Sequence, residues 1–511
     1  MTAVNINNMK KILCTLVLSL WTGLGLSYAG IPAASSNVAE ITQITEPSVA
    51  SQHQTSRENN FTNIDQGETE SHEAPVWMVI PFIALLLMIA TGPLFYEQFW
   101  HHHYPKVAVS LAALVVGYYL LVIHNIHAPV HALAEYVQFI ALIASLYIAS
   151  GGIMIQIDRA GTPKANLALL LIGAVISNLI GTTGASMLLI RPYIRLNKGR
   201  IKPYHIIFFI FMVSNIGGAL TPIGDPPLFL GFLKGVPFFW TATHNLLPWI
   251  LALSLLGGIF YLFDNKNKEK CKSTETTGKI SFTGAKNFGW LLLIIVSVFI
   301  DPNVFDWVPG IEYSGTKISF VRELIMFSVA FLSYRFADKK AIKDNEFNFE
   351  PIREVAFIFI GIFGTMMPAL ELVGSFAASP AGASLINHNS LYWGTGALSG
   401  FLDNAPTYLN FLAASMASQG GTVSSIESVK AFAAEQAPFV DSVLELTAIS
   451  VAAVFFGAIT YIGNGPNFMV KSISEQSGIK MPFFFAYILK YSLPILLPVL
   501  LLIWVVFFAF A

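Results

Sequence analysis

Thr221-Pro222-Ile223-Gly224-Asp225-Pro226-Pro227 and Thr460-Tyr461-Ile462-Gly463-Asn464-Gly465-Pro466, one in each half of the chain, share the pattern T-x-I-G-(D/N)-x-P. Each interrupts an apolar segment long enough to cross a bilayer. Apolar segments broken by Gly and Pro at matching places in two halves are the best sequence pointer to a transporter's binding site. Gly/Pro kinks do recur by chance in membrane helices, but a shared seven-residue pattern makes chance a poor explanation.

The composition agrees with a membrane setting. Hydrophobic residues make up 54% of the chain and charged ones 12%, against roughly 25% charged residues in a soluble domain. Lys and Arg gather in a few short loops, which argues against nucleic acid as a partner. The two cysteines, Cys14 and Cys271, form neither a disulfide framework nor a CxxC metal site, and no motif calls for a cofactor. Lys10-Lys11, an apolar run to about Leu26 and Ser27-Tyr28-Ala29 have the parts of a secretory signal over residues 1–29. Residues 30–74 have the composition of a disordered extracytoplasmic tail, leaving 75–511 as the transporter domain.

With about 20 apolar residues per crossing, the first spans fall at 76–95, 105–124 and 133–157. Residues 165–190 are apolar enough to cross but lead into Arg191, Arg195, Lys198, Arg200 and Lys202, which belong on the cytoplasmic side. The conflict disappears if the segment turns at Gly181-Thr182-Thr183-Gly184 and leaves by the face it entered, as a re-entrant hairpin with arms of about 13 residues. Residues 204–240 form a span broken at the first motif, and 243–263 closes the unit. Spans at 288–300, 318–334 and 352–374 follow. A second hairpin at 384–416 breaks at Asp403-Asn404-Ala405-Pro406-Thr407, 438–481 is a second broken span, and 482–509 closes the chain. The expectation is an all-α polytopic membrane protein with about ten full spans, two hairpins and two broken helices. These form an inverted repeat, the first unit at about 133–263 and the second at about 352–511.

A helix broken at mid-membrane exposes carbonyls on one side and N–H groups on the other, so four such breaks can surround one ion with preset dipoles. Asp225 and Asp403 are the carboxylates inside the breaks. At that depth a carboxylate costs several kcal/mol unless it is paired, solvated or protonated, so it can trade a proton for Na⁺ or Li⁺. Asn178, Thr182, Thr183, Ser214, Asn215, Thr221, Asn404, Thr407, Thr460, Asn464 and Asn467 supply hard oxygen ligands that also hydrogen-bond an anion. Gly224 and Gly463 allow the sharp turns. The plainer roles are capping of the following half-helix for Asp225 and pairing with a nearby donor for Asp403. His101-His102-His103 is placed on a loop as an interfacial cluster, His124, His127 and His131 border an outer loop as interface residues or pH sensors, and Glu371, Asp441 and Glu445 lie near or within spans, to line an outer vestibule or assist proton transfer, Glu445 foremost.

These residues resemble the ion-transporter superfamily, in particular its branch of NhaD-type sodium/proton antiporters and arsenite permeases, with citrate transporters alongside. The resemblance rests on Ser177-Asn178 with Thr182-Thr183, on Ser214 to Asp225, on Asp403 to Thr407 and on Thr460 to Pro466, and covers roughly residues 76–511. It implies a homodimer in a bacterial cytoplasmic (inner) membrane, with a scaffold domain and a moving transport domain working by alternating access, and with Asn215, Asp225, Asp403 and Asn404 as cation-binding positions. Sodium/proton members usually carry an acid where this chain has Ser177. The leading expectation is Na⁺(Li⁺)/H⁺ antiport, with Asp225 and Asp403 binding cation and proton in competition; the alternative is transport of citrate, another carboxylate or arsenite. No HExxH and no Ser/His pair on facing spans points to an intramembrane hydrolase.

Overall fold

A chain this apolar must satisfy its backbone within each segment, and it does so with helices. The structure, a computed structural model, describes residues 74–511 except 158, 268–279, 303–304, 306 and 314–315. The signal segment, nearly all of the tail, both cysteines and most of the Lys-rich loop after Lys266 therefore lie outside the described residues. Among those described, eight helices are long and apolar enough to cross a membrane, and two shorter apolar helices, Val76–Gly92 and Lys286–Ser297, accompany them.

One of the eight does not cross. Straight, the 34 residues of Pro163–Leu196 would reach about 51 Å. Instead Gly181 leaves the helix at φ 78°, ψ 154°, and the ends meet: Asn166 donates to Asn197 Oδ1 at 2.8 Å. A Cβ on Gly173 would lie 3.1 Å from Leu189 Cδ1. The segment is a hairpin, with arms longer than the expected ones. Its base is closed by Asp264, 0% exposed, which accepts from Arg200 at 2.7 Å, Asn166 and Tyr204 at 2.8 Å and His205 Nε2 at 3.0 Å.

The second hairpin is built from His388–Ser399 and Asn404–Ser418. A Cβ on Gly394 would lie 2.9 Å from Phe411 Cε1, so these helices also run back along one another. The broken spans repeat one design. Pro203–Met212 passes through a 3₁₀ turn, Ile216–Leu220, to Pro226–Lys234; Ser442–Phe456 passes through Gly457–Ile459 to Gly465–Gln476.

Several local expectations are corrected. His101 to His103 lie inside helix Glu97–Leu121, where His102 and His103 face the carbonyls of Gln98 and Phe99 one turn back. The third span is His127–Gly151, and the residues after it form strand Met154–Ile157, antiparallel to Ile280–Thr283. The polar stretch after 417 contains helix Ile426–Ala433, and the closing span opens into a π-helix, Ile488–Leu496, around Pro494. Arg191 pairs with Glu346 at 3.1 Å and Arg195 donates to Asp344 O at 3.3 Å, so the basic loop after the first hairpin and the loop at 335–346 share one face.

Candidate substrate and ion site

The two breaks match in detail. Thr221 (φ −137°, ψ 155°) and Thr460 (φ −132°, ψ 170°) open them; Asp225 (φ −143°, ψ 144°) and Asn464 (φ −154°, ψ 139°) close them as N-caps of the next half-helix. Thr221 Oγ1 donates to Asn178 O at 2.6 Å and accepts from Gly224 N at 3.1 Å. Thr460 Oγ1 donates to Gly400 O at 2.7 Å and accepts from Gly463 N at 3.1 Å. Each threonine therefore ties its break to its own hairpin, just before the hairpin tip. A Cβ would sit 2.1 Å from Gly218 O at Gly224 and 2.6 Å from Gly457 O at Gly463, which is why only glycine fits.

Breaking a helix frees carbonyls that must find other donors. In the first break, Trp249, Asn245 and Thr241 donate to the carbonyls of Gly217, Ala219 and Leu220. In the second, Asn467, Tyr487 and Ser492 donate to those of Gly457, Ala458 and Ile459. The segment following each break supplies much of this repair, so the breaks are permanent features of the fold.

Four helix starts converge where the tips meet the breaks: the second arms of both hairpins, Pro226–Lys234 and Gly465–Gln476. At their meeting point lies Asp225, 1% exposed. Its side chain does not cap the helix it begins. Thr182 Oγ1 at 2.7 Å and Asn464 Nδ2 at 2.9 Å donate to Oδ1, and Asn404 Nδ2 at 2.7 Å donates to Oδ2. One donor comes from each hairpin tip and one from the opposite break. Behind them Asn464 also donates to Asn215 Oδ1 at 3.2 Å, Asn215 donates to Asn467 Oδ1 at 2.6 Å, and Ser214 shares a hydrogen bond with Ser186 at 2.7 Å. Asn404 Oδ1 is buried and has no partner, leaving one acceptor in the cage uncommitted.

The remaining candidates are placed otherwise. Asp403 is partly exposed and caps its helix through Ala405 N at 3.0 Å, while Thr407 donates to Asp403 O at 2.9 Å. Asn178 accepts from Leu220 N and donates to Ala174 O. Thr183 lines a small cavity without entering the cage. Ser177 donates to Val213 O at 2.7 Å, and Ser399 does the same in the second half to Ala453 O at 2.6 Å, so Ser177 serves as a structural tie. Ser186, one turn beyond Thr182, was not singled out from sequence, although the i, i+4 spacing places it on the same face.

Two cavities lie along one seam. A cavity of about 30 Å³, room for a water molecule or a small ion, is bounded by Asp225, Gly181 to Gly184, Leu142 and Phe229. On the face opposite the basic loops, a vestibule of about 1150 Å³ is lined by His131, Glu135, Lys234, Arg322, Glu371 and Lys430, among others. Lys234 pairs with Glu135 at 2.6 Å and Arg322 with Asp301 at 3.0 Å. Between the two cavities Phe139 stacks on Phe359 at 4.4 Å and touches Phe363 at 5.9 Å and Phe229 at 6.5 Å, all four rings buried. On helix His127–Gly151, residues up to Gln138 line the vestibule and those from Leu142 line the small cavity, so Phe139 stands at the constriction.

A family model described as "Putative citrate transport" matches residues 71–508. No curated protein matches the chain at a significant level.

Proposed function

The chain belongs to this citrate-transport family of the ion-transporter superfamily, and from that premise we propose that it carries a small carboxylate such as citrate across the membrane by alternating access, with Asp225 holding the coupling cation or proton. The observation that carries the reading is a single buried carboxylate, met by three neutral donors at four helix starts, beneath a vestibule of about 1150 Å³. That volume lies just above the roughly 300–1,000 Å³ of small-molecule pockets and far exceeds what a bare alkali ion needs. The helix N-termini favour anionic groups without any Arg or Lys in the cage, and a cation or proton on Asp225 removes the repulsion between site and substrate.

Movement follows from what packs against what. Helices His127–Gly151 and Glu350–Ala378 form one wall of the seam; Pro226–Lys234 and Asn404–Ser418, which carry the site, form the other. The phenylalanine cluster closes the seam on the vestibule side. Sliding the site-bearing wall past the other opens the site to one face at a time, and the apolar rings slide without breaking hydrogen bonds.

A second reading is Na⁺(Li⁺)/H⁺ antiport, which the hard oxygen donors and the uncommitted Asn404 Oδ1 favour. Full-length protein in liposomes separates the two under an imposed Na⁺ or pH gradient. Saturable, gradient-driven uptake of labelled citrate supports the first reading. Na⁺- or Li⁺-dependent proton movement with no citrate flux replaces it with the second, and neither flux refutes both.

A further inference from the structure

Glu445, 7% exposed, sits in the first turn of Ser442–Phe456 on the vestibule side of the molecule. Among the described residues no cation pairs with it. Its Oε2 accepts from Ser415 Oγ at 2.5 Å and from Gln419 Nε2 at 3.0 Å. Gln419 is half-buried and its carbonyl holds the N–H of exposed Val440 at 2.7 Å, so a single amide separates the carboxyl group from bulk solvent. Neither Ser415 nor Gln419 lines the vestibule. Asp441, the N-cap of the same helix, bears on Glu445 electrostatically. On the packed segments, Glu427, Lys430 and Glu435 are exposed and His244 stacks on Trp240; none pairs with Glu445.

From this acid a polar line runs inward. Asn404, Tyr408, Ser415 and Gln419 recur at spacings of 4, 7 and 4 along Asn404–Ser418 and its C-cap, which puts them on one helical face. Across that face stands Ser450, close to Tyr408. The Tyr408 hydroxyl, the Ser450 hydroxyl and Asn404 Oδ1 are all buried and lack a well-formed hydrogen bond. Buried polar atoms of that kind are a few per hundred residues in native structures; here three stand in sequence between Glu445 and the carboxylate to which Asn404 donates. Ser450 lies about 7.5 Å along the helix axis from Glu445 and about 140° around it, so transfer between them needs intervening water.

We propose that Glu445 is a proton-binding site reached from the vestibule side of the membrane but outside the vestibule, and that the Tyr408 and Ser450 hydroxyls with intervening water pass its proton to the site around Asp225, Asn404 Oδ1 orienting the last donor of that line. The step is a proton transfer alone: bulk water protonates the Glu445 carboxylate, and the proton moves along hydroxyls and water to the inner carboxylate, leaving Glu445 ionised again. The anion and the proton then enter by separate routes. The inference rests on the proposed function only in taking Asp225 as the coupling group.

The test is time-resolved infrared spectroscopy of the full-length protein in lipid nanodiscs after an acid jump, following carboxylic C=O bands. Glu445→Gln places its amide oxygen where Oε2 accepts both donors, so the fold is retained. In that variant one band is lost, and the band that Asp225→Asn removes appears at least 10-fold later. The double variant Tyr408→Phe/Ser450→Ala keeps the Glu445 band and delays the inner one similarly. If Glu445→Gln leaves both bands, or if the inner band keeps its wild-type rate in every variant, the relay is wrong. The expected bands in a protein that moves no citrate leave the relay standing and refute the transport reading.

Discussion

Replacing Asp225 by Asn separates the part this carboxylate plays in folding from the part proposed for it in coupling. The carboxylate accepts three hydrogen bonds, two at Oδ1 and one at Oδ2. Bonds to a charged acceptor contribute about 1.5–3 kcal/mol against about 0.5–1.5 for neutral ones, so neutralising the acceptor loses about 1 kcal/mol per bond. The new amide nitrogen also meets Asn404 Nδ2, donor against donor, but Asn404 Oδ1 is unpartnered, and turning that amide restores the contact. Against a loss of about 3 kcal/mol stands relief of the several kcal/mol needed to bury a charge. Asp225→Asn should therefore fold, with an apparent melting temperature within about 5 °C of wild type. Gradient-driven citrate uptake in liposomes should fall at least 100-fold, about 2.7 kcal/mol, and stabilisation by Na⁺ or Li⁺ should vanish. Asp225→Ala, which strands three donors at about 1–3 kcal/mol each, should fail to accumulate as folded protein. A variant Asp225→Asn that melts like wild type and still concentrates citrate with unchanged cation dependence would refute the role given to this carboxylate.

Gly224→Ala and Gly463→Ala place a Cβ against backbone oxygens at 2.1 and 2.6 Å and should abolish folded yield in size-exclusion chromatography, whereas Gly117→Ala, with nothing within 4 Å, should behave as wild type. Asp264→Ala removes the acceptor shared by Arg200, His205, Tyr204 and Asn166 and leaves a cation buried alone, a loss of about 3–5 kcal/mol; thermal unfolding should show a large drop, and a wild-type melting curve would mean the hairpin base needs no closure. Phe139→Ala opens the constriction: in a background without native cysteines, Thr183→Cys should react with a membrane-impermeant thiol reagent at least 10-fold faster when Phe139 is also Ala, and equal rates would place the barrier elsewhere.

The positions of the breaks were legible because Gly, Pro and Asp are conspicuous in apolar sequence, and the first hairpin was legible because five cations after it fix the face to which the chain returns. What sequence could not supply is which polar side chains point inward. Asp225 and Asp403 look alike in one dimension, yet one accepts from three helices and the other caps its own. Thr182 and Thr183 are neighbours, but a helix turns them 100° apart, so only Thr182 reaches the carboxylate. The phenylalanine constriction was hidden because 41 Phe residues give no contrast, and the strand pair at 154–157 and 280–283 joins segments whose pairing is a tertiary matter. The histidine run at 101–103 was misplaced because three polar residues read as a break in hydropathy, although a helix satisfies them locally.

The point at which the two halves diverge sets the charge of the site. The threonine ties align Asn178 with Gly400, and four residues further on Thr182 with Asn404, both donors to the same carboxylate. The same correspondence aligns Asp225 with Asn464. An exact duplication would set a second carboxylate where Asn464 Nδ2 now stands, 2.9 Å from Asp225 Oδ1. Two like charges 4 Å apart repel by about 4 kcal/mol even at an effective dielectric of 20, so such a pair would keep one proton permanently and blur the response to a second. The amide converts that repulsion into a hydrogen bond and leaves Asp225 as the one carboxylate held by the donors of both halves, with Asp403 capping its own helix nearby. On the proposed function, the single charge of Asp225 is neutralised by one monovalent cation or one proton but not both, so competition between them would follow from the divergence of the repeats rather than from any single helix.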